Sequence, residues 1–138
     1  MTALPTSISM GSVMLRVADL DAMTMYYSDV LGLKVIAEDV SSRVLGGDKQ
    51  SALVLISAPE LKHAGPSEAG LFHTAFLYSS RSALANAVAA IASRYPESFT
   101  GSADHIVSEA FYFNDPEGNG VELYFDRDSR PLVLVMSQ

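Results

Sequence analysis

The chain has 138 residues, 49% hydrophobic and 18% charged, which suits one domain built around a core and is too short for two of ordinary size. Nine Lys and Arg against 16 Asp and Glu give a net charge of −7 without a basic run, which excludes the usual nucleic-acid and anionic-membrane binders. The lack of cysteine removes disulfides, thiolate metal sites and thiol nucleophiles; no run nears the ~20 apolar residues of a membrane span, and MTALPTSISM has no signal-peptide pattern, so the expected compartment is the cytoplasm.

In chain order, the β-forming residues of GSVMLRVADL predict a strand over 12–17. Asp19 is placed to cap a helix whose inner face carries Leu20, Met23, Tyr27, Val30 and Leu31, and Gly32 is placed to end it. LKVIAED, SSRVLGG and SALVLISA then predict three strands. The segment 59–70, PELKHAGPSEAG, with its two prolines and two glycines, reads as a linker between a first module (11–58) and a second (71–127). The order then restarts. LFHTAFLYS predicts a strand, Ser80 or Ser82 caps the alanine-rich helix SALANAVAAIASRY, and SFTGS, SEAFYFN and GVELYFD predict three more strands. PLVLVM is expected as a last edge strand or a docking segment.

The expected fold is therefore α+β: paired βαβββ modules in a single domain, 1–138, forming a curved, half-open sheet with a concave cup and helices outside. In GVELYFD the two-residue period puts Val121, Leu123 and Phe125 on one face and Glu122, Tyr124 and Asp126 on the other. If the helices take the apolar face, Glu122 points inward, where a carboxylate needs a cation or hydrogen-bond donors; the alternative is a solvated strand face. His73 alternates in the same way against Phe72, Thr74 and Phe76, and is either an inward-facing ligand or a hydrogen-bonded core histidine. The stretch DPEGNG predicts a hairpin with a five-residue loop, 115–119, in which Asn114 pairs with Gly120 and Tyr112 stands opposite Glu122. Pro116, Gly118 and Gly120 are assigned to turn shape, Met14, Met23 and Met25 to core filling or flexible lining, and Asp104 and Glu109 to surface or loop.

VMLRVADLDAMTMYYSDVLGLKV and FYFNDPEGNGVELYFD resemble the vicinal oxygen chelate superfamily, which includes glyoxalase I, extradiol dioxygenases, fosfomycin-resistance transferases and bleomycin-resistance proteins. The resemblance spans residues 11–127, and LFHTAFL with SADHIVSEAFYFNDPEGNGVELYFDR is similar to the first domain of catechol 2,3-dioxygenase-like proteins. It implies a divalent metal (Fe2+, Mn2+, Zn2+ or Ni2+) with ligand positions at His73 and Glu122. The two first-module positions fall on Ser12 and near Leu55, which offer neither imidazole nor carboxylate.

Of the other two histidines, His63 lies in the linker and is expected to be solvated. His105 has three roles open to it: third ligand, proton-handling residue over the substrate, or loop cap. Tyr112, ten residues before Glu122, matches a tyrosine that orients or deprotonates a catecholic hydroxyl in the extradiol enzymes; its other reading is a strand aromatic that packs against its neighbours. Two functions follow from the resemblance. One is a metal-dependent enzyme (ring-cleaving dioxygenase, isomerase or lyase) acting on a small substrate with neighbouring oxygens. The other is a metal-free protein that sequesters a small ligand, as bleomycin-resistance proteins do. A homodimer is expected, because half-closed modules commonly bury an edge against a second copy.

Overall fold

Two copies of one strand–helix–three-strand motif make up the computed structural model, which describes residues 11–47, 51–62, 65 and 73–127. They form two compact units, the first ending at Lys62 and the second beginning at His63. The first holds β1 (Val13–Val17), α1 (Leu20–Met25), β2 (Lys34–Glu38), β3 (Ser42–Gly46) and β4 (Ser51–Ser57). Its sheet runs β1-β4-β3-β2, with β1 parallel to β4 and the other pairs antiparallel. The second holds β5 (Thr74–Leu77), α2 (Arg81–Arg94), β6 (Phe99–Asp104), β7 (Ser108–Asn114) and β8 (Gly120–Asp126), in the order β5-β8-β7-β6. Both sheets are mixed and open, as the α+β reading requires. Among the described residues no helix is long and apolar enough to cross a membrane. The linker histidine His63, residues 71–72 and PLVLVM lie outside the described residues.

In the first unit, Asp19 caps α1 as expected, its Oδ1 accepting from the Ala22 N–H at 2.9 Å. The helix then departs from expectation. After Met25 it widens into a π-helical turn, Tyr26–Val30, in which the Leu31 N–H reaches back to the Tyr26 carbonyl at 3.3 Å. The wider turn carries both Tyr26 and Tyr27 fully inside, their rings meeting edge to face at 5.2 Å. A regular helical period had accounted for Tyr27 alone. Gly32 follows at φ +81°, a left-handed exit that glycine makes without strain. Val17, Met23, Leu45, Leu53 and Leu55 complete this core. Met23 is a core residue, but Met14 and Met25 are exposed, which removes core filling and leaves the flexible-lining alternative for them.

In the second unit Ser80, rather than Ser82, caps α2 by accepting from the Ala83 N–H at 3.1 Å. Leu84, Ala87 and Ile91 are buried at helical spacing, and α2 packs over β8, where Val121 and Leu123 are fully buried. β6 is longer than SFTGS suggested and contains a bulge: Phe99 pairs with Phe113 and Gly101 with Tyr112, leaving Thr100 as the extra residue.

Candidate functional site

The β7–β8 hairpin sets the geometry. Asn114 pairs with Gly120 and Tyr112 with Glu122, the register expected from a five-residue loop. What holds that loop is Asp115, which is buried. Its Oδ1 accepts from the backbone N–H groups of Glu117 and Asn119, and its Oδ2 from the Asn119 amide, all at 2.9 Å. Gly118 supplies the left-handed residue, at φ +85°. The DPEGNG signature is thus a turn device, and Asp115 was missed as its organiser because aspartate before proline reads only as a generic turn former. Asp115→Ala leaves several loop donors without their acceptor. It is expected to cost about 2 kcal/mol or more, read as a lower denaturant midpoint.

With Val121 and Leu123 facing α2, Glu122 faces the other side of the sheet, away from α2. His73 immediately precedes β5, which runs parallel to β8 with Ala75 beside Glu122. The His73 Nε2 lies 2.8 Å from Glu122 Oε2, and the Tyr112 hydroxyl donates to Glu122 Oε1 at 3.2 Å. The His73 and Tyr112 rings are 6.2 Å apart. Two lone-pair atoms that close require a proton or a cation between them, so His73 and Glu122 share one or the other. The side chains are 30% and 18% exposed, reachable by a ligand yet largely shielded from bulk water. Burial, then the charge of Glu122 and the hydrogen bond to it, push the Tyr112 phenol above its usual range. It therefore stays protonated and acts as a donor. A hollow of about 470 Å³ opens beside His73 and Tyr112, with Thr100, Phe113, Asn114, Gly120 and Val121 also at its wall.

His105 is placed elsewhere. It is exposed in the β6–β7 turn, its N–H bonded to the Ser108 carbonyl and its own carbonyl accepting from Arg127 at 2.7 Å. Ser108 pairs with Asp126, four residues along the hairpin from Tyr112 and Glu122, which is roughly 13 Å at the rise of a strand. The structure brings His73, Glu122 and Tyr112 together and leaves His105 apart. In the first unit Ser12 is exposed, whereas Leu55 is fully buried on the core side of β4, so its side chain is committed to packing. The residues of β4 that face the other way are Val54 and Ile56, which also lack ligand atoms. Among the described residues no group of three His, Asp or Glu forms a closed metal site.

A larger hollow, about 640 Å³, lies on the helix side of the second sheet between α2 and β7. Its acidic group is already satisfied. Glu109 accepts from Arg127 Nη2 at 2.7 Å and Arg81 Nε at 3.0 Å, and Arg127 also pairs with Asp104 at 2.6 Å. Glu109 was expected as a surface or loop residue; it is a strand residue at the centre of an ion-pair network, its side chain only 16% exposed. Arg127, with help from Arg81, holds its carboxyl below the usual carboxylate range. A lowered folded-state pKa means the stabilisation is present above the unfolded value of about 4.5 and is lost as pH falls through the folded value. Melting curves recorded between pH 3 and 7 are expected to show this acid loss, and Glu109→Gln to flatten it.

Sequence comparison identifies the lineage. The family model of the Glyoxalase/Bleomycin resistance protein/Dioxygenase superfamily matches residues 9–123. The chain belongs to this superfamily. Among curated relatives it is similar to a catechol-2,3-dioxygenase of Bacillus subtilis, 31% identical over 92% of this chain and 45% of that protein. It is also similar to biphenyl-2,3-diol 1,2-dioxygenase 3 of Rhodococcus globerulus, 32% identical over 85% of this chain and 63% of that protein. The chain thus spans about half to two thirds of the length of these superfamily relatives. Among solved structures, a glyoxylase/bleomycin resistance protein/dioxygenase domain from Frankia covers 91% of this chain and 96% of its own, with a TM-score of 0.72 at 19% identity. A lactoylglutathione lyase from Agrobacterium tumefaciens covers 88% and 94%, with a TM-score of 0.64 at 20% identity. At such identities these two structures establish the superfamily fold and leave the reaction open.

Proposed function

We propose that the chain binds a small molecule bearing neighbouring oxygen atoms on the face of the second sheet turned away from α2, with His73 and Glu122 as the protein ligands of a divalent cation. One observation carries this: an imidazole just before β5, a carboxylate on β8 and a phenol on β7 meet within 2.8 and 3.2 Å beside an open hollow. The donor set fits such an ion. Ligands at about 2.1 Å in neighbouring coordination positions lie about 3 Å apart, close to the His73–Glu122 separation, and nitrogen plus oxygen donors suit Fe2+, Mn2+, Zn2+ and Ni2+. Two protein donors leave the remaining positions to water and to the oxygens of the ligand. When bound, the ion would supply Lewis acidity, or redox chemistry if ferrous.

The chain's own groups have distinct tasks in this proposal. Glu122 supplies negative charge and His73 a neutral nitrogen once its proton is displaced. Tyr112, kept protonated, turns its hydroxyl from Glu122 toward a ligand oxygen and fixes its orientation. Ring-cleaving dioxygenase, isomerase and lyase chemistry all begin from such a chelated oxygen pair, and the dioxygenase names of the curated relatives favour the first. Tyr112→Phe is expected to weaken catechol binding about tenfold while leaving metal content unchanged, as one lost hydrogen bond to a charged partner would. The proposal itself is tested by measuring metal in protein purified without chelator; about one ion per chain supports it.

A second reading, metal-free sequestration of a small ligand, is favoured by Ser12 and Leu55, which add no donor, and by Glu122, both of whose oxygens already contact protein groups. Metal-free protein that binds catechol tightly would establish that reading. A homodimer belongs to either version, since β2 is exposed along its whole length at a sheet edge; sedimentation of the purified chain reads it.

A further inference from the structure

The bulge in β6 reaches the wall of the hollow through Thr100. Because Phe99 pairs with Phe113 and Gly101 with Tyr112, Thr100 and Gly101 together oppose Tyr112. Thr100 lines the hollow shared with His73 and Tyr112. Directly opposed residues share a face, so Gly101, Tyr112, Glu122 and Ala75 stand abreast across the four strands. The polar pair is flanked by the two smallest side chains available.

Gly101 belongs to the bulge, but neither backbone conformation nor crowding requires a glycine there. Its φ is not in the left-handed region, and a Cβ built on it would meet nothing within 4 Å. Glycine in a strand interior weakens the strand and is found at bulges or where a ligand approaches closely; this bulge does not itself demand one, which leaves room for the second cause. The absent side chain leaves free space beside the Tyr112 phenol, on the face that carries Glu122.

Resting on the function proposed above, we infer that Gly101, set opposite Tyr112 by the Thr100 bulge, determines ligand choice by leaving room for a bulky group next to the ligand's oxygen pair. Catechol and biphenyl-2,3-diol are suitable probes, because they share the oxygen pair and differ by a phenyl group beside it. Calorimetric titration of wild type is expected to show both binding with affinities within about tenfold. Gly101→Val should keep catechol binding and weaken biphenyl-2,3-diol at least tenfold.

Equal loss of both diols in Gly101→Val, or no change for either, overturns the inference. So does a wild type that binds catechol and refuses the phenyl derivative, with the proposed function left standing. A wild type that binds neither diol removes the proposed function and the inference with it. Circular dichroism and melting temperature check that the valine variant folds. Should it not fold, Gly101→Ala replaces it, since one methyl enters empty space; the same ordering, smaller in size, is then required.

Discussion

His73→Ala is expected to empty the proposed site with little harm to the fold. The histidine is about one-third exposed and stands just before β5, so truncation removes few buried contacts and should change stability by less than about 1 kcal/mol. The effect on binding should be far larger. Loss of groups that merely support a metal ligand typically costs 10–100-fold in affinity, and loss of one of two protein ligands should exceed that, giving at least about 100-fold. Metal analysis after dialysis, together with catechol titration, measures both consequences. Retention of a stoichiometric ion by the alanine variant would remove His73 from the ligand set. Retention of catechol binding by a metal-free variant would move the assignment to sequestration.

Leu123→Ala is expected to have the opposite profile, a large loss of stability with site chemistry affected only through the fold. Leu123 is fully buried beneath α2, in the middle of β8, with Phe111 opposite it on β7. Emptying such a position costs the transfer free energy of the lost carbons and that of the cavity left behind, about 2–5 kcal/mol. That is a large share of the roughly 5–15 kcal/mol that holds a domain together. Urea denaturation should show a clear drop in midpoint. Leu77→Ala provides the contrast: Leu77 is 57% exposed on the face away from α2, and its loss should be nearly neutral.

The second module was the more legible half, and the reason is physical. Alternation in GVELYFD and SEAFYFN, fixed by a loop of defined length, determines which side chains share a face, so the approach of Tyr112 to Glu122 follows from counting residues. The alternation of its own strand turned His73 inward; the parallel pairing of β5 with β8 that brings it to Glu122 was not read from the sequence. In the first module the helix was read with a single period, and the π turn that buries both Tyr26 and Tyr27 could not be foreseen, because an extra residue in a helical turn leaves no compositional mark. The position near Leu55 was placed by resemblance alone, and Leu55 is buried on the core side. Its strand, SALVLIS, is apolar on both faces, so no alternation shows which residue faces the helix. Glu109 was misjudged because its partners, Arg81 and Arg127, lie 28 and 18 positions away and only the fold brings them to it. The bulge at Thr100 had one mark in SFTGS, the glycine at 101, which suggests an interrupted strand without showing which residue is extra.

The parallel pairing of β5 with β8 has a further consequence for assembly. His73 stands at the entrance of the second module and Glu122 in its last strand, 49 positions later, with α2, β6 and β7 threaded between them. The two groups meet only when the whole chain between them has condensed, so no fragment of the module can hold the complete site. A compound that bridges these two groups would therefore act as a clasp on the entire module. It should slow hydrogen exchange in α2, and in strands it never touches, as much as in those it does.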